Sequence, residues 1–500
     1  MTSSTAPNHT MRHAIRFTRN GTVREIRDAH PRTTLLDWLR LAERRTGTKE
    51  GCAEGDCGAC TVALGRLVEG RVAYQPVNSC ILLLGQCDGA DVVTVEDIAA
   101  GGDLHPVQEA MVAHHGSQCG FCTPGIVMSL FTLYEEGARP VAREAVNDAL
   151  AGNLCRCTGY RPIVDAALDA CAAPKDRRFE AHREAAARAL ADLERDGRDL
   201  FVGDETRFFA APASEESLAA LLARHPDATI LAGATDVGLW ITKALMEIER
   251  IVWLGRIESL REVRATPETL TLGAMVSHAD AHAALAAIDP DLGELMRRFG
   301  SVQVRASGTV GGNIANGSPI GDLPPALIAL GATLQLASAK GMRSLPLEEF
   351  FLAYRKQDRE PGEYVRAVEI EKLRRHDVFR CYKVTKRFDE DISAVMGAFR
   401  LRVEGRRVAA ARIAFGGMAA TPKRAPQAEA TLVGLDLDDE LAWAPALDAL
   451  ARDYRPMSDH RASAEYRALV ARNLLFKALA EAAGDSDTRV APRAGLAAAE

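Results

Sequence analysis

The chain has no uninterrupted run of about 18 apolar residues, the minimum for a membrane-spanning helix. Its opening residues, MTSSTAPNHTMRHAIRF, lack the apolar stretch of a secretory signal. A cytoplasmic protein is therefore expected. Basic charge is also scarce: 61 Lys and Arg against 68 Asp and Glu leave a net charge of −7. Neither nucleic acid nor an anionic membrane is expected as a partner. No repeat of solenoid period occurs. No G-x-G-x-x-G leads into a helix, so there is no Rossmann fingerprint. What remains, 47% hydrophobic and 26% charged residues, is soluble globular composition. Five hundred residues exceed one core, so three or four domains are expected.

Cysteine is where the sequence is most informative. Eight of the eleven cysteines fall in two groups within the first 160 residues. One group is Cys52-x4-Cys57-x2-Cys60 followed by Cys80; the other is Cys119-x2-Cys122 followed by Cys155-x-Cys157. The first spacing is that of plant-type [2Fe–2S] ferredoxins. Three thiolates on one short glycine-rich loop (Gly51, Gly55, Gly58) suit a cluster, whereas zinc ligands usually come as separated pairs. The second spacing admits zinc or iron–sulfur. Cys87, Cys171 and Cys381 have no partners at ligand spacing and read as small buried hydrophobes. An odd cysteine count and a reducing compartment argue against a disulfide framework.

Along the chain, residues 13–95 read as a β-rich unit with a hairpin turn at Asn20-Gly21. An amphipathic helix is expected over residues 34–41, with Leu35, Leu36, Leu39 and Leu41 on its apolar side. Residues 105–172 turn helical, with helices over 106–115, 124–136, 140–150 and 161–172. Residues 174–200, charged and alanine-rich, read as an exposed, partly helical linker. An α/β region comes next, to about 372, then strands and helices to about 482; the tail after Gly484 is expected to be disordered.

Two loops in the α/β region place small residues where a backbone approaches a ligand. One is Ile230, Leu231, Ala232, Gly233, Ala234, Thr235, Asp236 and Val237; the other runs through Thr309, Val310, Gly311, Gly312 and Asn313. Successive N–H groups in such turns can cradle a pyrophosphate, though each loop, taken alone, is more often an ordinary tight turn.

With these pieces in order, the chain resembles the small subunits of bacterial xanthine dehydrogenases within the molybdenum hydroxylase family. The resemblance rests on Gly51–Cys60 (GCAEGDCGAC), residues 118–125 (QCGFCTPG), residues 152–162 (GNLCRCTGYRP) and residues 310–314 (VGGNI). It implies a multidomain α+β fold. The expected parts are a β-grasp ferredoxin domain (11–97), a four-helix second [2Fe–2S] domain (98–173), a linker (174–203), and an α/β FAD domain of the vanillyl-alcohol-oxidase/PCMH type (204–374). A CO-dehydrogenase-flavoprotein-like α+β domain (375–484) and a tail (485–500) complete it. The resemblance also implies two [2Fe–2S] clusters on the eight cysteines and FAD held by both loops with Phe299, Asp322, Val365 and Lys383. Phe299 is alternatively plain core, and Asp322 a helix cap. Tyr354 and Glu390 correspond to the nicotinamide-binding face, and Gln118 to a position facing the pterin.

The family's molybdopterin-binding region does not fit in 500 residues and is expected on a partner subunit, in a heterotetramer of two small and two large chains. No residue catalysing substrate hydroxylation is then expected in this chain. The implied function is electron transfer from the partner's molybdenum centre, through the Cys119 group and then the Cys52 group, to FAD and NAD+ during hypoxanthine or xanthine oxidation. O2 is the alternative acceptor. Other readings are the same subunit of an aldehyde or N-heterocycle hydroxylase, a free-standing flavoprotein reductase, and a zinc-stabilised scaffold without redox chemistry.

Overall fold

A computed structural model describes residues 11–99, 102–485 and 487–489. They form two compact units: one takes the chain to Glu258 and again Ser301–Gly308, the other takes Ser259–Gly300 and the chain from Thr309. Among the described residues, no helix is long and apolar enough to cross a membrane.

The first unit begins with a mixed sheet of strands β1 (Ile15–Arg19), β2 (Thr22–Ile26), β3 (Thr61–Val68), β4 (Arg71–Asn78) and β5 (Asp91–Val93). Their spatial order is β2-β1-β5-β3-β4, with β1 and β5 parallel and the other pairs antiparallel. Asn20 and Gly21 both have positive φ (51° and 67°), as a two-residue hairpin between right-twisted strands requires. The expected helix starts at Leu35, where the Thr34 side chain accepts the Asp37 N–H. It then widens over Trp38–Ala42, with the Glu43 N–H reaching back to the Trp38 carbonyl. The extra residue per turn changes the inward face: Trp38 is buried, and Leu41, expected inside, is 70% exposed.

Four helices come next, over Pro106–Ala113, Thr123–Glu136, Arg143–Leu150 and Arg161–Ala172. Proline occupies the first turn of three of them, where its missing N–H costs nothing. Their apolar faces share one core with Ala63, Val72, Tyr74 and Val93 of the sheet. Strands β6 (Leu200–Gly203), β7 (Phe208–Ala211), β8 (Thr229–Leu231) and β9 (Arg250–Trp253) form a second sheet in the order β6-β7-β9-β8. Phe209 and Trp253 from it pack with Phe17, Val62 and Leu84 in another core.

The expected exposed linker is instead part of the fold. Glu180–Glu194 is a helix whose Arg183, Ala186 and Leu190 are buried. Arg183, 1% exposed, donates to the Val72 carbonyl (2.5 Å), to Glu136 (2.6 Å) and to Glu135 (2.7 Å), and its guanidinium lies over the Tyr74 ring. His182 bonds the buried Asp91 at 2.8 Å. The charge density that reads as solvated is partly spent on these buried partners.

In the second unit, β10 (Val263–Ala265), β11 (Thr269–Gly273), β12 (Thr333–Ser338), β13 (Gly341–Pro346) and β16 (Tyr364–Glu371) pair antiparallel in the order β10-β11-β16-β12-β13. The short strands β14 (Phe351–Ala353) and β15 (Lys356–Gln357) pair apart from it. Strands β17 (Asp377–Val384), β18 (Val395–Glu404), β19 (Arg407–Gly416) and β20 (Lys423–Arg424) form the last sheet, in sequence order. The helix Leu323–Leu330, in which every residue is buried, joins both sheets in one core. Pro426–Leu432, Ala444–Asp453 and Ala464–Ala483 pack on β18 and β19 in another. The expected disorder after Gly484 does not extend to Arg489, which pairs with Asp291 (2.8 Å) and Glu481 (2.6 Å). The rest of the tail, from residue 490, lies outside the described residues.

Arg183→Met keeps most of the buried volume but removes a cation from Glu135 and Glu136. We expect it to lower the stability of the full chain by about 3–5 kcal/mol, read as a drop in urea midpoint. Burial raises the Glu135 carboxyl pKa, but His105, Lys175 and Arg183 outweigh it and bring it from 4.5 to about 2. The native state binds that proton less readily than the unfolded chain. The resulting stability is whole above pH 4.5 and disappears as pH falls towards 2. Urea midpoints over this window should fall more steeply for the native chain than for Glu135→Gln.

Candidate functional site

The loop holding Cys52, Cys57 and Cys60 lies between the helical turns ending at Ala42 and β3, and folds back on itself. Ala53, Gly55 and Gly58 all have positive φ (55°, 77° and 68°), so the backbone curls around a centre instead of extending. The Cys52 sulfur accepts the N–H groups of Glu54 (3.4 Å) and Cys57 (3.3 Å). Cys60 and Cys80 lie 3.2 Å apart, sulfur to sulfur, in an apolar pocket with Leu36 and Ile81. Asn78 pins the loop by donating to the Gly55 carbonyl at 2.8 Å.

The four thiols perturb one another. Hydrogen bonds from the Cys57 and Cys80 thiols hold Cys52 far below the ordinary thiol range. Cys57 and Cys80 are pushed up, chiefly by their bonds to Cys52 and secondly by neighbours and burial. Cys80 also draws Cys60 down against the effect of burial. Among the described residues, no group of three or more His, Cys, Asp or Glu side chains is placed to hold a single metal ion. A bound cation cluster would displace the thiol protons and take four thiolates. This donor set and the N–H···S bonds to Cys52 fit a [2Fe–2S] cluster.

The second group lies at the ends of helices. Cys122 immediately precedes Thr123–Glu136, and Cys155 and Cys157 lie on the connection before Arg161–Ala172. Cys155 is buried, Cys122 half-buried, and Cys119 and Cys157 are exposed. Burial, then the Cys155 thiol beside it, pushes the Cys122 thiol up to about 12. Burial acts the same way on Cys155, but the Thr158 hydroxyl, 3.2 Å from its sulfur, and nearby N–H groups bring it below the ordinary range. The Cys155 N–H donates to the Tyr160 hydroxyl at 2.7 Å.

The two cysteine segments touch. The Leu154 N–H donates to the Cys57 carbonyl at 3.0 Å, and the Asn153 amide donates to the Gly58 carbonyl at 3.1 Å. A Cβ at Gly58 would stand 2.1 Å from the Gly152 carbonyl oxygen. Sequence reasoning missed Asn78, Asn153, Tyr160 and Gln303. Only Asn153 and Tyr160, inside the cysteine-rich stretch 152–162, carried a signal by position.

In the first unit, Ile230 and Leu231 end β8, and Ala232 to Asp236 turn into the short helix Val237–Thr242. Ala234 has φ 64°, and its carbonyl accepts the Gly238 N–H at 2.7 Å. The Ala232 carbonyl accepts from Gln86, and a Cβ at Gly233 would meet the Ser307 carbonyl oxygen at 1.9 Å. In the second unit, Thr309 caps the helix Val310–Asn316 by accepting the Gly312 N–H at 3.0 Å. Gly311 lies against Ala274, where a Cβ would stand 2.5 Å away. The Asn313 Oδ1 is buried with no hydrogen-bond partner, which suits a ligand donor.

The remaining expected residues divide. Asp322 makes no cap bond; its carboxylate takes the Lys383 ammonium at 2.7 Å and the Ser393 hydroxyl at 2.5 Å, so the helix-cap alternative fails. Phe299 is partly buried against the core, its ring 4.3 Å from that of His278. Val365 is buried in the β16 face of the same core. Tyr354 is exposed beside Arg355, and Glu390 occupies the left-handed region with φ 59°.

Four family descriptions match the chain in succession. These are a 2Fe-2S iron–sulfur cluster binding domain over residues 17–84, a [2Fe-2S] binding domain over 94–168, the FAD binding domain in molybdopterin dehydrogenase over 204–372, and the CO dehydrogenase flavoprotein C-terminal domain over 380–482. Xanthine dehydrogenase of Emericella nidulans is 31% identical over 88% of this chain and 36% of its own length. That of Drosophila pseudoobscura pseudoobscura is 33% identical over 90% of this chain and 38% of its own. The chain thus spans little more than a third of the curated relatives it matches. Among solved structures, carbon monoxide dehydrogenase from Hydrogenophaga pseudoflava matches with TM-score 0.52 and 30% identity, over 55% of this chain and 96% of that one. Quinoline 2-oxidoreductase from Pseudomonas putida 86 matches with TM-score 0.50 and 30% identity, over 55% and 95%. The two cysteine loops sit in the iron–sulfur matches and both glycine-rich loops in the flavin match, and on these grounds the chain belongs to the molybdenum hydroxylase family.

Proposed function

We propose that this chain is the electron-transfer subunit of a xanthine dehydrogenase, serving hypoxanthine or xanthine oxidation by a molybdopterin-bearing partner subunit. The observation that carries the reading is the pair of adjoining cysteine pockets on a chain whose relatives over nearly its whole length are xanthine dehydrogenases. Cys52, Cys57, Cys60 and Cys80 hold one [2Fe–2S] cluster, and Cys119, Cys122, Cys155 and Cys157 the other. When bound, such clusters carry single electrons and a flavin converts pairs to hydride, here for NAD+.

The chain's own residues bind and insulate. Leu36 and Ile81 keep water from Cys60 and Cys80, and the N–H groups of Glu54 and Cys57 stabilise charge on the Cys52 sulfur. We assign FAD contacts to residues 230–237, to Thr309 through Asn313, and to Phe299, Asp322, Val365 and Lys383. The Lys383–Asp322 pair fixes a neutral polar surface there, since each charge cancels the other. Tyr354 and Glu390 mark the nicotinamide face. Exposed Cys119 and Cys157, with exposed Phe121 and Leu154 beside them, make the second pocket the one that faces the large subunit, in a cytoplasmic assembly of two small and two large chains. The match to quinoline 2-oxidoreductase favours one other reading, the same role in an N-heterocycle hydroxylase.

Purified with its partner, the chain should contain about four acid-labile sulfides, two per cluster. Cys57→Ser should reduce this to about two and abolish NAD+ reduction by xanthine, leaving flavin content unchanged. Absence of sulfide from the anaerobically purified native complex would sink the proposal. Asn313→Leu removes the unpartnered acceptor. It should weaken flavin retention about tenfold at unchanged iron content, measured by fluorescence of released flavin.

A further inference from the structure

Gln303 is fully buried and lies far in sequence from every cysteine, yet its side chain sits where the two cysteine segments meet. Its Nε2 lies within hydrogen-bond distance of three oxygens, the Thr61 hydroxyl (3.2 Å), the Ser129 hydroxyl (3.1 Å) and the Asn153 Oδ1 (3.1 Å), which share its two N–H groups. Each of these belongs to a different wall. Thr61 comes directly after Cys60, Ser129 lies on the helix that begins after Cys122, and Asn153 precedes Cys155 by two residues.

Every hydroxyl proton in the group is already committed. Thr61 donates to the Gly58 carbonyl at 2.7 Å, and Ser129 donates to the Asn153 Oδ1 at 2.6 Å. The Asn153 Nδ2 donates to the Gly58 carbonyl as well. The Gln303 Nε2 therefore faces acceptors only, and an amide N–H2 is the uncharged group that meets them, while its Oε1 is buried without a hydrogen-bond partner. A carboxylate of the same shape would face three oxygen acceptors with no proton to offer. The fit leaves no spare room, because a Cβ at Gly152 would stand 2.1 Å from the Gln303 Oε1.

The network clamps the residues on both sides of one backbone hydrogen bond, from the Leu154 N–H to the Cys57 carbonyl. Through it a continuous bonded connection runs from the Cys57 sulfur along its own backbone, across 3.0 Å, and along Leu154 to the Cys155 sulfur. We propose that Gln303 is a positioning residue for electron transfer, locking the two cysteine segments so that this connection between the metal-binding pockets stays closed. The inference rests on the assignment of [2Fe–2S] clusters to both pockets. The transfer it serves moves one electron from one cluster to the other, with no bond or proton changing place.

The test uses the intact complex carrying Gln303→Glu, with Gln303→Met as a volume-matched apolar second variant should the first fail to fold. Iron, acid-labile sulfide and flavin contents are measured first; native levels in the variant show that the pockets themselves survive. The expected result is then about tenfold faster hydrogen exchange at the Leu154 amide. An altered magnetic interaction between the two reduced clusters should accompany it in electron paramagnetic resonance. Unchanged Leu154 exchange and an unchanged interaction signal in a variant with full iron would overturn the proposal. Sulfide missing from the native complex would instead defeat the cluster assignment, and the positioning role with it.

Discussion

Backbone meets backbone where the two cysteine loops adjoin, and the first unit is organised around that closeness. Gly58 and Gly125 approach each other so nearly that a Cβ on the second would stand 2.1 Å from the first's carbonyl oxygen. Gly58 meets the Gly152 carbonyl at the same separation. No side chain of any size fits these positions, and a methyl group at any of them would drive the segments apart. The side chains that steady the pockets act from their rim: Asn78 on one loop, Tyr160 on the other, Gln303 and Asn153 on both. The shared apolar core below then has a defined surface to support, with β3 and β4 on one side and the four helices on the other.

Buried charge plays the matching part away from the pockets. Arg183, Arg19 and Arg12 are all buried, and each finds carboxylates: Glu135 and Glu136, Asp97 and Glu43, and Asp88. In the second unit Arg400 does the same with Asp377, and Lys383 with Asp322. Such pairs add little net stability over apolar substitutes, but losing one member strands the other in a medium that cannot solvate it. They thus specify which segments dock where more than how firmly. The rigidity this gives suits a protein that must keep redox groups at fixed separations while their charges change.

Much of this was legible in the residues. Cysteine spacing, the Asn20-Gly21 turn and the prolines at helix starts are local signals, and the structure carries them as local geometry. Both glycine-rich loops were visible as turns, because small residues in succession mark close backbone approach, as at Gly233 and Gly311. What stayed hidden depends on contacts distant in sequence. Glu180–Glu194 reads as solvated because Arg, Glu and Ala dominate it, and nothing nearby announces that Glu135 and Val72 will receive Arg183. Leu41 fails for a subtler reason, since a single wide turn shifts the face that looks inward. Gln303 offers no pattern at all; it is defined by three oxygen atoms contributed from three separate stretches.

The buried face of Glu180–Glu194 changes the meaning of the stretch that joins the iron–sulfur half to the remainder of the chain. A tether can be cut, lengthened or replaced without consequence; a clasp cannot. Because Arg183 closes over the Val72 carbonyl and the Glu135 carboxylate, an N-terminal fragment ending before this helix would uncover a charged, half-wetted seam along its own sheet. The natural boundary of the iron–sulfur module thus lies beyond residue 194, after the clasp, and a fusion or split made earlier divides one folding unit instead of separating two.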